Sequence, residues 1–239
     1  MMEEKSSTRK AYSVPTLLEI CIVLAVMLVV KSIADYFEII GAGSIAIWCS
    51  IITATYFIRR RNTDWFSFGL TLPKGKREWL KSVGLAILTV IVVFLLMGLI
   101  LDPILSHYGL EKPADVADRF QFFLGKPLVF ISYLIIVVWI GAALGEELLM
   151  RGFLLNQLAH LFGNTKWTWF LALSFHAIIF GMLHSYQGLA GIITTTFIAL
   201  IFGVVYIISN KRLFPVILAH LIINTISLTA FYLTNGTVN

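Results

Sequence analysis

The sequence predicts an all-α fold, a polytopic integral membrane helix bundle of seven to eight transmembrane helices. Three observations predict it. Of 239 residues, 59% are hydrophobic and only 13% are charged, about half the charged share of a water-facing domain. The apolar residues fall in runs of about 20, the length at which a helix crosses the hydrocarbon layer. Lysine and arginine sit beside the ends of these runs. That is the pattern of cytoplasmic loops, so the net charge of +5 does not imply a nucleic-acid partner.

The first span runs from Pro15 to about Val30. It is too long for a signal peptide and lacks a small-residue cleavage site, so it reads as retained. The second covers Ile39 to Ile58, the third Val83 to Leu101 and the fourth Leu128 to about Leu144. Further runs cover Trp167–Leu183, Leu189–Ile208 and Phe214–Leu233. Between the fourth and fifth, Leu148–Phe162 is apolar but broken by Arg151, Asn156, Gln157 and His160. It fits an eighth span, a continuation of the fourth, or an interfacial helix. The chain reads as a single membrane domain over 1–239. Residues 1–127 give three helices and an outer loop, and 128–233 give the core helices that carry the polar motifs. Cys21 and Cys49 both lie inside apolar runs, where a small buried hydrophobe is the expected role.

Basic residues set the expected orientation. Lys5, Arg9 and Lys10 precede the first span, Arg59, Arg60 and Arg61 follow the second, and Lys74, Lys76, Arg77 and Lys81 precede the third. A hairpin of spans one and two puts all three clusters on one side, with the N-terminus cytoplasmic. The Asp102–Lys126 loop then lies outside. It carries Asp102, Glu111, Asp115 and Asp118 against Lys112, Arg119 and Lys126.

Ionisable side chains at membrane depth are costly and mark function. Glu146 and Glu147 end a fully apolar run, with Arg151 shortly after. Glu147 and Arg151 are four apart and share a helix face, as an ion pair requires. Glu146 is turned about 100° from Glu147 at 3.6 residues per turn, which frees it to face a cavity. An unpaired carboxylate in an apolar site suits a general base. His184 closes the Trp167 run, and His220 and Asn224 share one face of the last span. Each histidine alone is more often a satisfied core residue. His176, two turns before His184, is expected to hydrogen-bond a neighbouring helix. His160 and His107 fall at interfacial or loop positions. Glu19 should face other helices, whereas Lys31 and Asp35 should snorkel to the interface. Together, Glu146 with His184 suits the activation of a water, and His220 with Asn224 suits donation to an oxyanion. The reaction class that fits is amide hydrolysis in an intramembrane catalytic cavity.

These segments resemble the motifs of the CAAX prenyl protease and bacteriocin-processing family of intramembrane proteases, also called Abi. The pattern Glu-Glu-x-x-x-Arg, Phe-x-x-x-His and His-x-x-x-Asn is met by Glu146, Glu147 and Arg151, by Phe180 and His184, and by His220 and Asn224. The resemblance covers about Leu128 to Leu233. It implies a helical membrane fold with the cavity open toward the cytoplasm. It also implies that Glu146 and His184 activate water while His220 and Asn224 stabilise the oxyanion. Eukaryotic members remove the last three residues of prenylated CAAX proteins, and bacterial members are linked to peptide maturation and bacteriocin self-immunity. The expected partners are therefore a peptide or protein substrate, in some cases lipidated, and the bilayer. The expected location is a bacterial cytoplasmic membrane. No substrate, cleaved bond or oligomeric state is specified.

Three alternatives stand beside this reading. Glu146, His184 and His220 would also make a three-ligand zinc site. No His-Glu-x-x-His segment occurs, and Asn224 is a better oxyanion donor than zinc ligand, so a metal-free glutamate mechanism is favoured and no cofactor is expected. A non-enzymatic immunity or scaffold protein of the same fold is the second alternative. The third is a transporter using these groups as proton relays, for which no inverted repeat is visible. One tension remains. Lys211 and Arg212 place His220 near the inner side, whereas simple span counting puts His184 near the outer face. The two can meet only if spans are short, tilted or re-entrant.

Overall fold

The computed structural model describes residues 2–111, 113 and 115–236, with the side chains of 2–14 and 115 outside the described set. The side chains of Lys5, Arg9, Lys10 and Asp115, and the whole of Lys112, therefore lie outside the described residues. Every regular element among the described residues is helical. The long ones are α1 (Met2–Tyr36), α2 (Ala42–Arg60), α3 (Gly75–His107), α4 (Pro127–Leu161), α5 (Lys166–Met182), α6 (Gly188–Ile208) and α7 (Phe214–Leu233).

Six helical segments are long and apolar enough to cross a membrane: α1 from Pro15, α2, α3, α4, the stretch from Ser185 through α6, and α7. The expected fifth span is the shorter helix α5, of 17 residues. The possible eighth span is not separate, because Leu148–Phe162 continues α4. Of its polar residues His160 is exposed, but Gln157 is buried, and Asn156 Nδ2 donates to the Arg151 and Gly152 carbonyls and to Tyr206 Oη. The outward faces of α1 and α3 are apolar, with Leu17, Leu28, Val29, Leu88 and Ile91 exposed. Such a surface suits lipid.

Sequence chemistry explains the irregular places. Pro103 would clash with the carbonyl four residues back and offers no N–H; the backbone answers with one wider turn over Met97–Leu101. The middle of α4, Leu134–Leu155, is also wound with i→i+5 spacing. Small residues let helices approach closely, the usual packing device in lipid. A methyl added at Gly141 would stand 2.0 Å from Ser44 Oγ, and one at Gly145 would stand 2.8 Å from Ile47. These contacts seat α4 on α2. Similarly, a methyl at Gly203 would stand 2.2 Å from Leu173, which seats α6 on α5.

The end of the bundle where α2 stops is tied together by polar contacts. Arg61 pairs with Glu19 at 2.6 Å and donates to Gln157 Oε1, so Glu19 does face other helices. Arg212 pairs with Glu78 at 2.8 Å. Leu213 N–H donates to the Gly69 carbonyl, and Tyr206 Oη–H donates to that of Phe68. Gly69, at φ 94, lies so close to Lys211 O that no side chain fits there. The other end holds an aromatic cluster of Phe120, Phe123, Phe130, Tyr133, Phe231 and Tyr232. There the 102–126 loop folds back over α4 and α7.

Candidate active site

The site is built around one carboxylate oxygen. Glu147 and Arg151, a turn apart on α4, are both fully buried, and Arg151 Nη1 donates to Glu147 Oε1 at 3.0 Å. The expected ion pair is present. A second partner reaches the same oxygen: His220, in the second turn of α7, places Nδ1 2.8 Å from it. The charge on Arg151 is further accommodated by aromatic faces. Its guanidinium carbon lies 4.8 Å from the Phe180 ring centre and 5.2 Å from that of Phe202. Phe202 also packs edge-on against His220 at 5.5 Å.

With Glu147 committed, Glu146 turns its carboxylate the other way. It is half-buried, and no described residue hydrogen-bonds to it. It lines a cavity of about 1170 Å³ together with Arg151, Phe180, His184, His220 and Asn224. A smaller recess of about 360 Å³, walled by Met27, Leu28, Met182 and Leu183, reaches Glu146 and His184 from the side of α1. The four residues to which sequence reasoning gave chemical roles therefore share one wall-to-wall space.

Each is held by its element. His184 follows α5 and its Nδ1 lies 2.8 Å from the Phe180 carbonyl. A carbonyl only accepts, so Nδ1 carries the proton and Nε2 is left with a lone pair. Asn224 makes no hydrogen bond to another described residue. The rotation of its helix is fixed beside it by Trp139 Nε1–H donating to Thr225 Oγ1 at 3.0 Å. His176 departs from expectation. It is fully buried and stacks on Phe180 at 6.5 Å, but neither ring nitrogen has a partner among the described residues.

The tension between His184 and His220 resolves through the short α5. Gly203 approaches both Leu173 and Leu155, which sets them at one depth. From that level α5 runs on to Met182 and α4 runs back to Glu146, so His184 and Glu146 come to line the same cavity. The loop before α4 fills the space above, with Pro113 packed on Gly188.

The cavity mouth lies between the α1–α2 turn and this loop, and sequence reasoning missed its rim. Lys31 pairs with Asp35, and both line the cavity instead of only reaching an interface. Arg119 lies 4.8 Å from the Tyr186 ring centre, and Tyr186 lies 6.0 Å from His184. The only available sequence signal was that Tyr186 closely follows the histidine motif. Two expectations also turn out to exclude each other. A loop assigned to the outside lines the mouth of a cavity that the resemblance has opening to the cytoplasm.

No three His, Cys, Asp or Glu side chains among the described residues gather closely enough to hold one metal ion. Glu146, His184 and His220 line the same cavity. Cys21 and Cys49 are free thiols away from it.

No curated protein and no solved structure matches the chain. A family model described as type II CAAX prenyl endopeptidase, Rce1-like, matches residues 128–226, from the start of α4 into α7 and across all three motifs. Over that segment the chain is similar to the type II CAAX prenyl endopeptidase family.

Proposed function

We propose that this protein is an intramembrane endopeptidase of the glutamate type, cutting a membrane-associated or lipidated chain with a water activated by Glu146 and His184. The observation that carries the reading is the division of labour between adjacent carboxylates. Glu147 is neutralised by Arg151 and bound to His220, while Glu146 lines the same cavity as His184.

The steps follow from the atoms available. A water held between Glu146 and His184 Nε2 gives a proton to the Glu146 carboxylate as its oxygen bonds to the scissile carbonyl carbon. The carbonyl π electrons move to oxygen, and Asn224 Nδ2–H donates to that oxyanion. His220 has Nδ1 turned to Glu147, so only Nε2 faces the cavity. Donation from Nε2 needs a second proton on the ring; Glu147, already paired with Arg151, orients the ring through Nδ1. Collapse of the intermediate breaks the C–N bond, and the leaving amine takes the proton from Glu146. Apolar helices wall the inner part of the site, where a lower dielectric strengthens these contacts.

Loss of the base predicts that Glu146→Gln and His184→Ala lower turnover by about 10²- to 10⁴-fold while the protein still purifies folded. Mass spectrometry of membrane peptides from cells with wild type and with Glu146→Gln reads this directly. A new peptide terminus present only with wild type supports the proposal, and identical peptide sets refute it. A scaffold or immunity role predicts instead that both variants keep their cellular activity.

A further inference from the structure

The two ends of the bundle differ sharply in charge. Eight of the chain's 18 Lys and Arg gather at the end where α2 stops. Residues 59–61, Lys74, Lys76, Arg77, Lys211 and Arg212 gather there, and contacts prove that they share an end: Arg61 with Gln157, Arg212 with Glu78, and Lys211 over Trp169 at 3.9 Å. The cavity opens at the opposite end, where its mouth is framed by Lys31, Asp35, Glu38, Pro113 and Arg119. There the described cations are few, and Lys31 is already paired with Asp35.

Short loops rich in Lys and Arg remain in the cytoplasm when membrane proteins insert. The chain runs from the basic end up α1, down α2, up α3, down α4 and up α7. The α5–α6 hairpin rises from the basic end and returns to it. Loops at the basic end are short, the condition under which the charge rule acts. We infer that the catalytic cavity opens on the noncytoplasmic face, so that its substrates are chain segments displayed on that face. The substrate half rests on the peptidase reading above; the orientation half does not. The direction is opposite to the one the family resemblance implies. It selects a distinct class of substrate: the exported or outward-facing end of a membrane-associated chain, not a cytoplasmic tail.

The test uses the full-length protein in its membrane, with Cys21→Ser and Cys49→Ser as background. Single cysteines are placed at the rim, by Glu38→Cys or Arg119→Cys, and at the other end, by Arg60→Cys or Lys166→Cys. All four positions are exposed, and two per end guard against a variant that fails to fold. A membrane-impermeant maleimide is applied to intact cells and again after permeabilisation. The inference expects rim cysteines to label in intact cells, and the others only once the membrane is opened. The reverse pattern, or equal labelling of both ends, overturns it. In a second arm, sealed right-side-out vesicles receive an impermeant quenched peptide. Cleavage that is lost in Glu146→Gln supports the inference, and cleavage only after opening the vesicles overturns it. If no peptide is cut even in opened vesicles, the peptidase reading fails, while the labelling pattern still decides the orientation.

Discussion

At the scale of single residues, Glu147 and Arg151 carry charge at zero exposure. Removing one partner strands the other, which costs about 3–5 kcal/mol. Glu147→Ala is therefore expected to reduce folded yield and lower the unfolding temperature in detergent. Pairing Glu147→Leu with Arg151→Met should recover most of that stability, because a buried ion pair and a packed apolar pair are often near-equal in energy. Cleavage should not return, since His220 then loses the partner of its Nδ1. Asn224→Ala, by contrast, removes only the donor that the proposed mechanism assigns to the oxyanion. It should lower kcat by about 10²- to 10³-fold with little change in KM or unfolding temperature. His176→Phe should be neutral or stabilising in a thermal melt, because an unpartnered polar ring at full burial is a cost. Helical spacing made the Glu147–Arg151 pair legible from sequence, as it did the shared face of His220 and Asn224. It could not show that Glu147 bonds His220, because that contact joins α4 to α7 and no local period encodes it.

At the scale of helices, function depends on how far α5 rises. Gly181, close to its end, faces Thr196 and the Ile192 carbonyl of α6; an added methyl would stand 2.0 Å and 2.7 Å from them. A backbone oxygen cannot move aside cheaply. Gly181→Val is therefore expected to push α5 off α6, costing about 1–3 kcal/mol and moving His184. Turnover should fall by more than the loss of folded protein explains, measured as activity per folded molecule. Hydropathy located every long helix, including α5. It left open whether Leu148–Phe162 belongs to α4. That fact depends on partners: Asn156, Gln157 and Arg151 look like interruptions in a linear reading, yet Asn156 and Gln157 bond side chains outside α4 and Arg151 lies against rings of α5 and α6.

At the scale of the molecule, the motif-bearing half does not stand alone. The main core draws on α1 to α7 together, with Val23, Ala46, Ile47 and Ala86 packed among residues of α4 to α7. Gly141 and Gly145 of α4 lie directly on Ser44 and Ile47 of α2. A chain starting at residue 62 is expected to be degraded or to aggregate, and co-expression of 1–61 as a separate piece should restore it; pull-down of the two pieces checks this. The first two helices read from sequence as generic membrane segments. Lys31 shows otherwise, since it lines the cavity, but its place became visible only once α1 was set beside His184 and Tyr186.

One oxygen of Glu147 is gripped from two helices, whereas its neighbour Glu146 braces nothing. A genetic screen for dead alleles will therefore return both positions for different reasons. Alleles at 147 will confound abundance with chemistry, and their phenotypes will shift with temperature and expression level. Alleles at 146 should be quiet in every assay of quantity, which makes that carboxylate the place to build a trap for whatever the cavity holds.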